Sequence, residues 1–117
     1  MFSHLMIGAN DLDASKKFYD ATLAVFGYDA GVYDEHGRLF YFTPKGILAL
    51  TKPINGEEAT HGNGSTIGLA ASSPELVDEW FKVGSENGGV VCEDPPGIRG
   101  NDDRQLYLAY LRDPTGN

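Results

Sequence analysis

His4 has the widest chemical range in this 117-residue chain. An imidazole can ligate a metal ion, pass a proton near neutral pH or direct one hydrogen bond. Its setting, Phe2-Ser3-His4-Leu5-Met6-Ile7-Gly8-Ala9, alternates as a strand does, with Leu5, Ile7 and Ala9 on one face and His4, Met6 and Gly8 on the other. The other two histidines lack such a frame. His36 falls in the turn Asp34-Glu35-His36-Gly37 and His61 in a glycine-flanked linker, so both read as solvated. The lone Cys92 reads as structural, on a strand beside Glu93 and Asp94, whose charge argues against a nucleophilic role. No Gly-x-Ser-x-Gly elbow, phosphate loop or dinucleotide fingerprint occurs, which removes the usual support for hydrolase, nucleotide-binding and hydride-transfer readings.

The elements that must position His4 follow from periodicity. A helix is predicted after the first strand, capped by Asp11 or Asp13, with Phe18, Thr22 and Val25 on one stripe and Gly27 as its left-handed stop. Arg38–Thr43 and Ile47–Thr51 read as strands joined by Pro44-Lys45-Gly46, with a further strand near Tyr28–Tyr33.

The same unit recurs. Thr66–Ala71 reads as a strand, Ser73-Pro74 as a helix start, Val77, Trp80 and Gly84 as the helix face, and Asn87-Gly88-Gly89 as its end. A shift of 62 carries His4 onto Thr66, Phe18-Tyr19 onto Trp80-Phe81 and Gly27 onto Gly89 without a gap. Past a loop expected at residues 94–104, either a surface excursion or an acidic lid, Gln105–Leu111 answers Arg38–Thr43 and Pro114-Thr115-Gly116 answers Pro44-Lys45-Gly46. Nothing answers Ile47–Leu50, so a final strand of the second unit is expected beyond Asn117.

These units predict an α+β fold of two tandem βαβββ repeats in one domain, 1–117: repeat one at 1–52, a linker at 53–65 and repeat two at 66–117. A curved mixed sheet would enclose a concave cleft, with helices outside. The aromatic residues Phe40, Tyr41, Phe42, Tyr107 and Tyr110 fall on the third strand of each unit, some toward the core and some toward the cleft.

Two motifs carry a family resemblance. Asp11-Leu12-Asp13-Ala14-Ser15-Lys16-Lys17-Phe18-Tyr19, after the strand that bears His4, resembles the opening of the vicinal oxygen chelate superfamily, which includes glyoxalase I, extradiol dioxygenases, fosfomycin-resistance enzymes and bleomycin-binding proteins. Arg112-Asp113-Pro114-Thr115-Gly116-Asn117 resembles the turn before that family's last strand. The resemblance implies the doubled βαβββ fold and a function among isomerisation, ring cleavage, thiol addition and sequestration. It also implies four inward positions that hold a divalent metal in the family's enzymes. The first is His4; the second falls at about Leu50, with Leu48 and Lys52 as its neighbours on that face; the third is Thr66; the fourth lies beyond Asn117. Only His4 is a strong donor, below the three usual for a catalytic site.

The resulting expectation is a small-molecule binding protein without a family-type metal or other cofactor, its pocket lined by His4, Met6, Leu48, Leu50, Thr66 and Gly68. His4 is the candidate for proton transfer. The alternative is a metal-dependent lyase or isomerase, or a dioxygenase, in which His4 and a carboxylate beyond Asn117 hold Zn, Ni, Fe or Mn. A homodimer is expected, since an incomplete sheet leaves an edge that a second copy can cover.

Composition narrows the partners. Seventeen acidic against nine basic side chains give a net charge of −8, which repels phosphate backbones and anionic lipids, so neither nucleic acid nor membrane is expected. No apolar run reaches the ~18 residues of a membrane span, and Met1-Phe2-Ser3-His4 lacks the basic start of a secretory signal. With one cysteine and no disulfide partner, a cytoplasmic location is expected.

Overall fold

Asp11 opens the first helix, its Oδ1 accepting from the Ala14 amide at 3.0 Å, while Asp13 in the first turn complements the helix dipole. The computed structural model describes residues 1–117. It contains, in chain order, β1 (His4–Gly8), α1 (Leu12–Ala24), β2 (Val32–Tyr33), β3 (Leu39–Thr43), β4 (Gly46–Thr51), α2 (Pro74–Glu86), β5 (Val90–Val91), β6 (Gly97–Asn101), β7 (Arg104–Leu108) and β8 (Leu111–Arg112). Both helices are those the sequence predicts. In α2, Ser73 accepts from the Leu76 amide and Pro74 occupies the first turn, where a missing N–H costs nothing.

The first repeat forms one sheet in the order β1-β4-β3-β2, with β1 parallel to β4 and the other pairs antiparallel. Register then fixes which side chains share a face. Leu5, Leu48 and Tyr41 form one row across β1, β4 and β3, and Ile7, Leu50 and Leu39 the next. These rows meet α1, which buries Ser15, Phe18, Tyr19, Thr22 and Leu23 at helical spacing. This layer is the core, with Leu39, Leu50 and Tyr41 almost wholly enclosed.

The second repeat has no comparable core. Of its residues only Gly84 and Asp113 are buried. Its strands form two short antiparallel pairs, β5 with β8 and β6 with β7. They are two parts of one long hairpin: between them Cys92–Pro96, five residues, faces Ala109 and Tyr110. Pro95 and Pro96 have no amide to give a ladder, so pairing breaks there and Cys92 is exposed outside any strand. The region expected as a loop, 94–104, is therefore mostly hairpin; β6 is held to β7, and a lid is not what forms. Thr66–Ala71 is not a strand, because no neighbour supplies its ladder. The α+β class holds, but the sheets stay open instead of joining into one curved surface.

The two repeats meet at close quarters. Gly84 of α2 packs on α1, where an added Cβ would come within 3.1 Å of Thr22 Cγ2 and 3.3 Å of Phe18 Cε2. The Tyr19 hydroxyl donates to Asp113 Oδ2 at 3.0 Å, and Asn117 Nδ2 donates to the same oxygen and to the Gly8 carbonyl. The linker is pinned midway: Asn10 Oδ1 accepts from the Ala59 amide at 2.7 Å while Asn10 Nδ2 donates to the Ala59 carbonyl at 3.0 Å.

Candidate functional site

The sheet face turned away from α1 carries His4. Register places Phe42, Ile47 and His4 in one row across β3, β4 and β1, and Phe40, Ala49 and Met6 in the next. Phe40 and Phe42 lie nearly parallel, with centroids 5.8 Å apart, and the Arg38 guanidinium sits 5.5 Å from the Phe40 ring centre. His4 Nδ1 and Ser3 Oγ are hydrogen-bonded at 3.0 Å. No helix covers these rows: His4 is exposed, Met6 is 38% exposed and Phe42 63%. This is an apolar, partly aromatic surface with one imidazole on it.

The six expected pocket residues do not meet at one place. His4 and Met6 share the open face, whereas Leu48 and Leu50 point to the opposite side, Leu48 against the core and Leu50 within it. Alternation gives parity within a strand, and the observed β1–β4 register sets Ile47 and Ala49, not Leu48 and Leu50, beside His4 and Met6. Thr66 and Gly68 line a separate cleft with Leu48.

That cleft, about 880 Å³, lies on the α-helical side between the two repeats. Ile67, Leu69, Val77, Trp80, Tyr110 and Leu111 are among its walls, residues the pocket expectation did not include. Trp80 could have been found from the repeat, since it occupies the place of the buried Phe18. Trp80 Nε1 is enclosed without an acceptor, and the Tyr107 hydroxyl donates to Asp78 at 2.7 Å. His61, expected as solvated, is exposed near Gly116, and His36 is in the expected turn, where Asp34 Oδ1 accepts from the His36 and Arg38 amides.

A model of the Glyoxalase/Bleomycin resistance protein/Dioxygenase superfamily matches residues 1–117. The chain belongs to this superfamily. A glyoxalase/bleomycin resistance protein from Albidiferax ferrireducens T118 is similar at 56% identity and a TM-score of 0.94, over 100% of this chain and 94% of that one. A glyoxalase-related enzyme from Fulvimarina pelagi shares the fold, with a TM-score of 0.73 at 20% identity, over 99% of this chain and 82% of that one. No curated protein sequence matches the chain.

Membership in the glyoxalase superfamily raises the question of a metal, which the donor set answers for these residues. His4 has Ile47 beside it on β4, and Ala49, next along that face, ends in a methyl group. Nowhere in the chain do three His, Cys, Asp or Glu side chains converge. The residues present therefore do not match the three-donor set of a tight catalytic ion.

Proposed function

We propose that this glyoxalase-superfamily chain binds a small, flat, largely apolar molecule on the open face of its first sheet, without a resident metal. The observation that carries the reading is the pair of rows Phe42-Ile47-His4 and Phe40-Ala49-Met6, uncovered by any helix and bearing a single imidazole. Aromatic rings supply stacking area for a flat ligand, and one directed hydrogen bond from His4 orients it. The net charge of −8 favours neutral or cationic ligands over anionic ones.

One face alone leaves a ligand half in water. With Phe42 and Met6 exposed there, a second copy laid over the face completes the enclosure, which supports a homodimer with the ligand at its interface. The reading draws support from the likeness to a glyoxalase/bleomycin resistance protein.

The test is elemental analysis of protein purified without chelator, followed by a calorimetric screen of aromatic and cationic small molecules on wild type and His4→Ala. The expected result is metal below about a tenth of an equivalent and a saturable ligand whose affinity drops at least tenfold in the variant, the scale of one lost hydrogen bond. Stoichiometric Zn, Ni, Fe or Mn would overturn the metal-free reading in favour of lyase, isomerase or dioxygenase chemistry. A ligand indifferent to His4→Ala would move the site elsewhere.

A further inference from the structure

Asparagine followed by glycine is among the least durable pairs in a polypeptide. Glycine has no Cβ to shield its amide nitrogen, which can close on the asparagine side chain in a five-membered ring. The pair occurs three times in this chain, at Asn55-Gly56, Asn63-Gly64 and Asn87-Gly88. The fold treats the three differently.

Asn55 is held on every side. Its Oδ1 accepts from the Glu57 amide at 3.0 Å, its Nδ2 donates to Glu57 Oε2 at 3.3 Å, and the Gly56 amide donates to the Pro53 carbonyl at 3.1 Å. Both partners of a ring closure are therefore engaged. Asn87 is the half-buried residue that ends α2, and its Nδ2 donates to the Val83 carbonyl at 2.8 Å. Its side chain is drawn back along the helix, not forward to Gly88.

Asn63 has no such restraint. Neither its side chain nor the Gly64 amide makes a hydrogen bond, and both residues are exposed. They form the middle of a turn closed by the Ser65 amide on the Gly62 carbonyl at 3.0 Å, with Gly64 at φ +91°, as a type II turn requires there. A Cβ built on Gly64 meets nothing within 4 Å, so no packed neighbour opposes the small rotation that ring closure needs.

We propose that Asn63-Gly64 is a site of spontaneous deamidation selected by the fold. The Gly64 nitrogen attacks Asn63 Cγ: a nitrogen–Cγ bond forms, the Cγ–Nδ2 bond breaks, and the Gly64 amide proton leaves with Nδ2 as ammonia. Water then opens the cyclic imide at either carbonyl, giving aspartate, or isoaspartate with the chain running through Cβ. No atom is oxidised or reduced. Either product adds one negative charge to the net −8 of the chain. Isoaspartate also adds one backbone atom to the turn, within the span between Ala59, which Asn10 grips, and α2.

The test incubates the full chain in mildly alkaline buffer, native and in concentrated urea, and follows each asparagine by peptide mapping, in which an amide becomes an acid. In the native chain Asn63 is expected to convert about tenfold faster than Asn55 or Asn87, the barrier that one hydrogen bond adds to the restrained sites. In urea the three rates are expected to converge, with Asn55 and Asn87 rising most. A carboxyl methyltransferase that labels isoaspartate from S-adenosylmethionine is expected to label aged wild type and to leave Asn63→Gln unlabelled, since glutamine would have to close a slower six-membered ring. Asn55 or Asn87 keeping pace with Asn63 in the native chain would overturn the proposal. So would a urea acceleration of Asn63 equal to that of the other two, or equal labelling of Asn63→Gln.

Discussion

Tyr19 on α1 and Asp113 in the C-terminal turn are 94 positions apart in sequence, yet they share a buried hydrogen bond of 3.0 Å. The same carboxylate accepts from the Thr115 and Asn117 amides and from Asn117 Nδ2. The Asp-Pro-Thr-Gly-Asn turn is thus wound around one anion whose remaining valence belongs to the other repeat. Tyr19→Phe keeps the ring and loses the bond, and a hydrogen bond to a charged group is worth about 1.5–3 kcal/mol. Asp113→Ala strands several donors and is expected to cost more, with both losses read from urea unfolding midpoints.

The same pair sets a limit at high pH. Burial, reinforced by the Asp113 carboxylate, holds the Tyr19 phenol well above its ordinary 10.0, and burial with Asp20 does the same for Tyr41. Raised values in the folded state mean that the unfolded chain loses these protons first. Their contribution is complete below pH 10 and declines as pH rises above it. Thermal midpoints are expected to fall above pH 10, and Tyr19→Phe is expected to flatten that decline.

A limit at low pH comes from Asp20. Burial opposes its charge, but Lys16, the Gly31 amide and the Tyr41 hydroxyl together hold its carboxyl below the ordinary 3.8. A depressed value in the folded state makes the contribution present above 3.8 and lost as pH falls below it. Asp20→Asn is expected to be less stable than wild type at pH 6 and to converge with it near pH 2. If the gap is unchanged between those pH values, the ionised form of Asp20 is not what stabilises this corner.

Gly84 is a point where α2 packs directly on α1. Valine there would drive methyl groups into Leu111, Thr22 and Phe18, and overpacking of this kind costs about 1–3 kcal/mol. Gly84→Val is expected to lower the thermal midpoint, with partial recovery when Leu111→Ala makes room. No recovery in the double variant would point to backbone displacement in place of side-chain crowding.

Phe42 tests the dimer within the proposed function. It is 63% exposed, so Phe42→Glu should leave the fold intact. If a second copy covers this face, the variant is expected to shift sedimentation from dimer to monomer and to weaken ligand binding together. A wild-type monomer at 100 µM, well above the concentration at which micromolar dimers form, would remove the second copy from the reading.

Local signals carried the helices and the first strand into the structure. Asp11, Ser73-Pro74 and the glycines after each helix are read from neighbours within a few residues, so sequence alone places them. Alternation likewise puts His4 and Met6 on one face of β1. It says nothing of which β4 side chains lie beside them, because that depends on pairing between residues 43 positions apart in sequence. Thr66–Ala71 makes the same point differently: its residues suit a strand, but a strand exists only as part of a pair. The hairpin of β6 and β7 was hidden by prolines, glycines and acidic residues typical of loops, and its register holds despite them.

The clasp between Asn10 and Ala59 gives the linker a kinetic meaning. One side-chain amide grips one peptide unit with both donor and acceptor, as an adjoining strand would. The connection between the repeats thereby becomes two short spans in place of one long one, and the second repeat is kept at high local concentration against the first. For two molecules to exchange halves, each must first release this side chain. Asn10 is thus placed as a latch that holds the two repeats of one chain together and opposes their exchange between molecules.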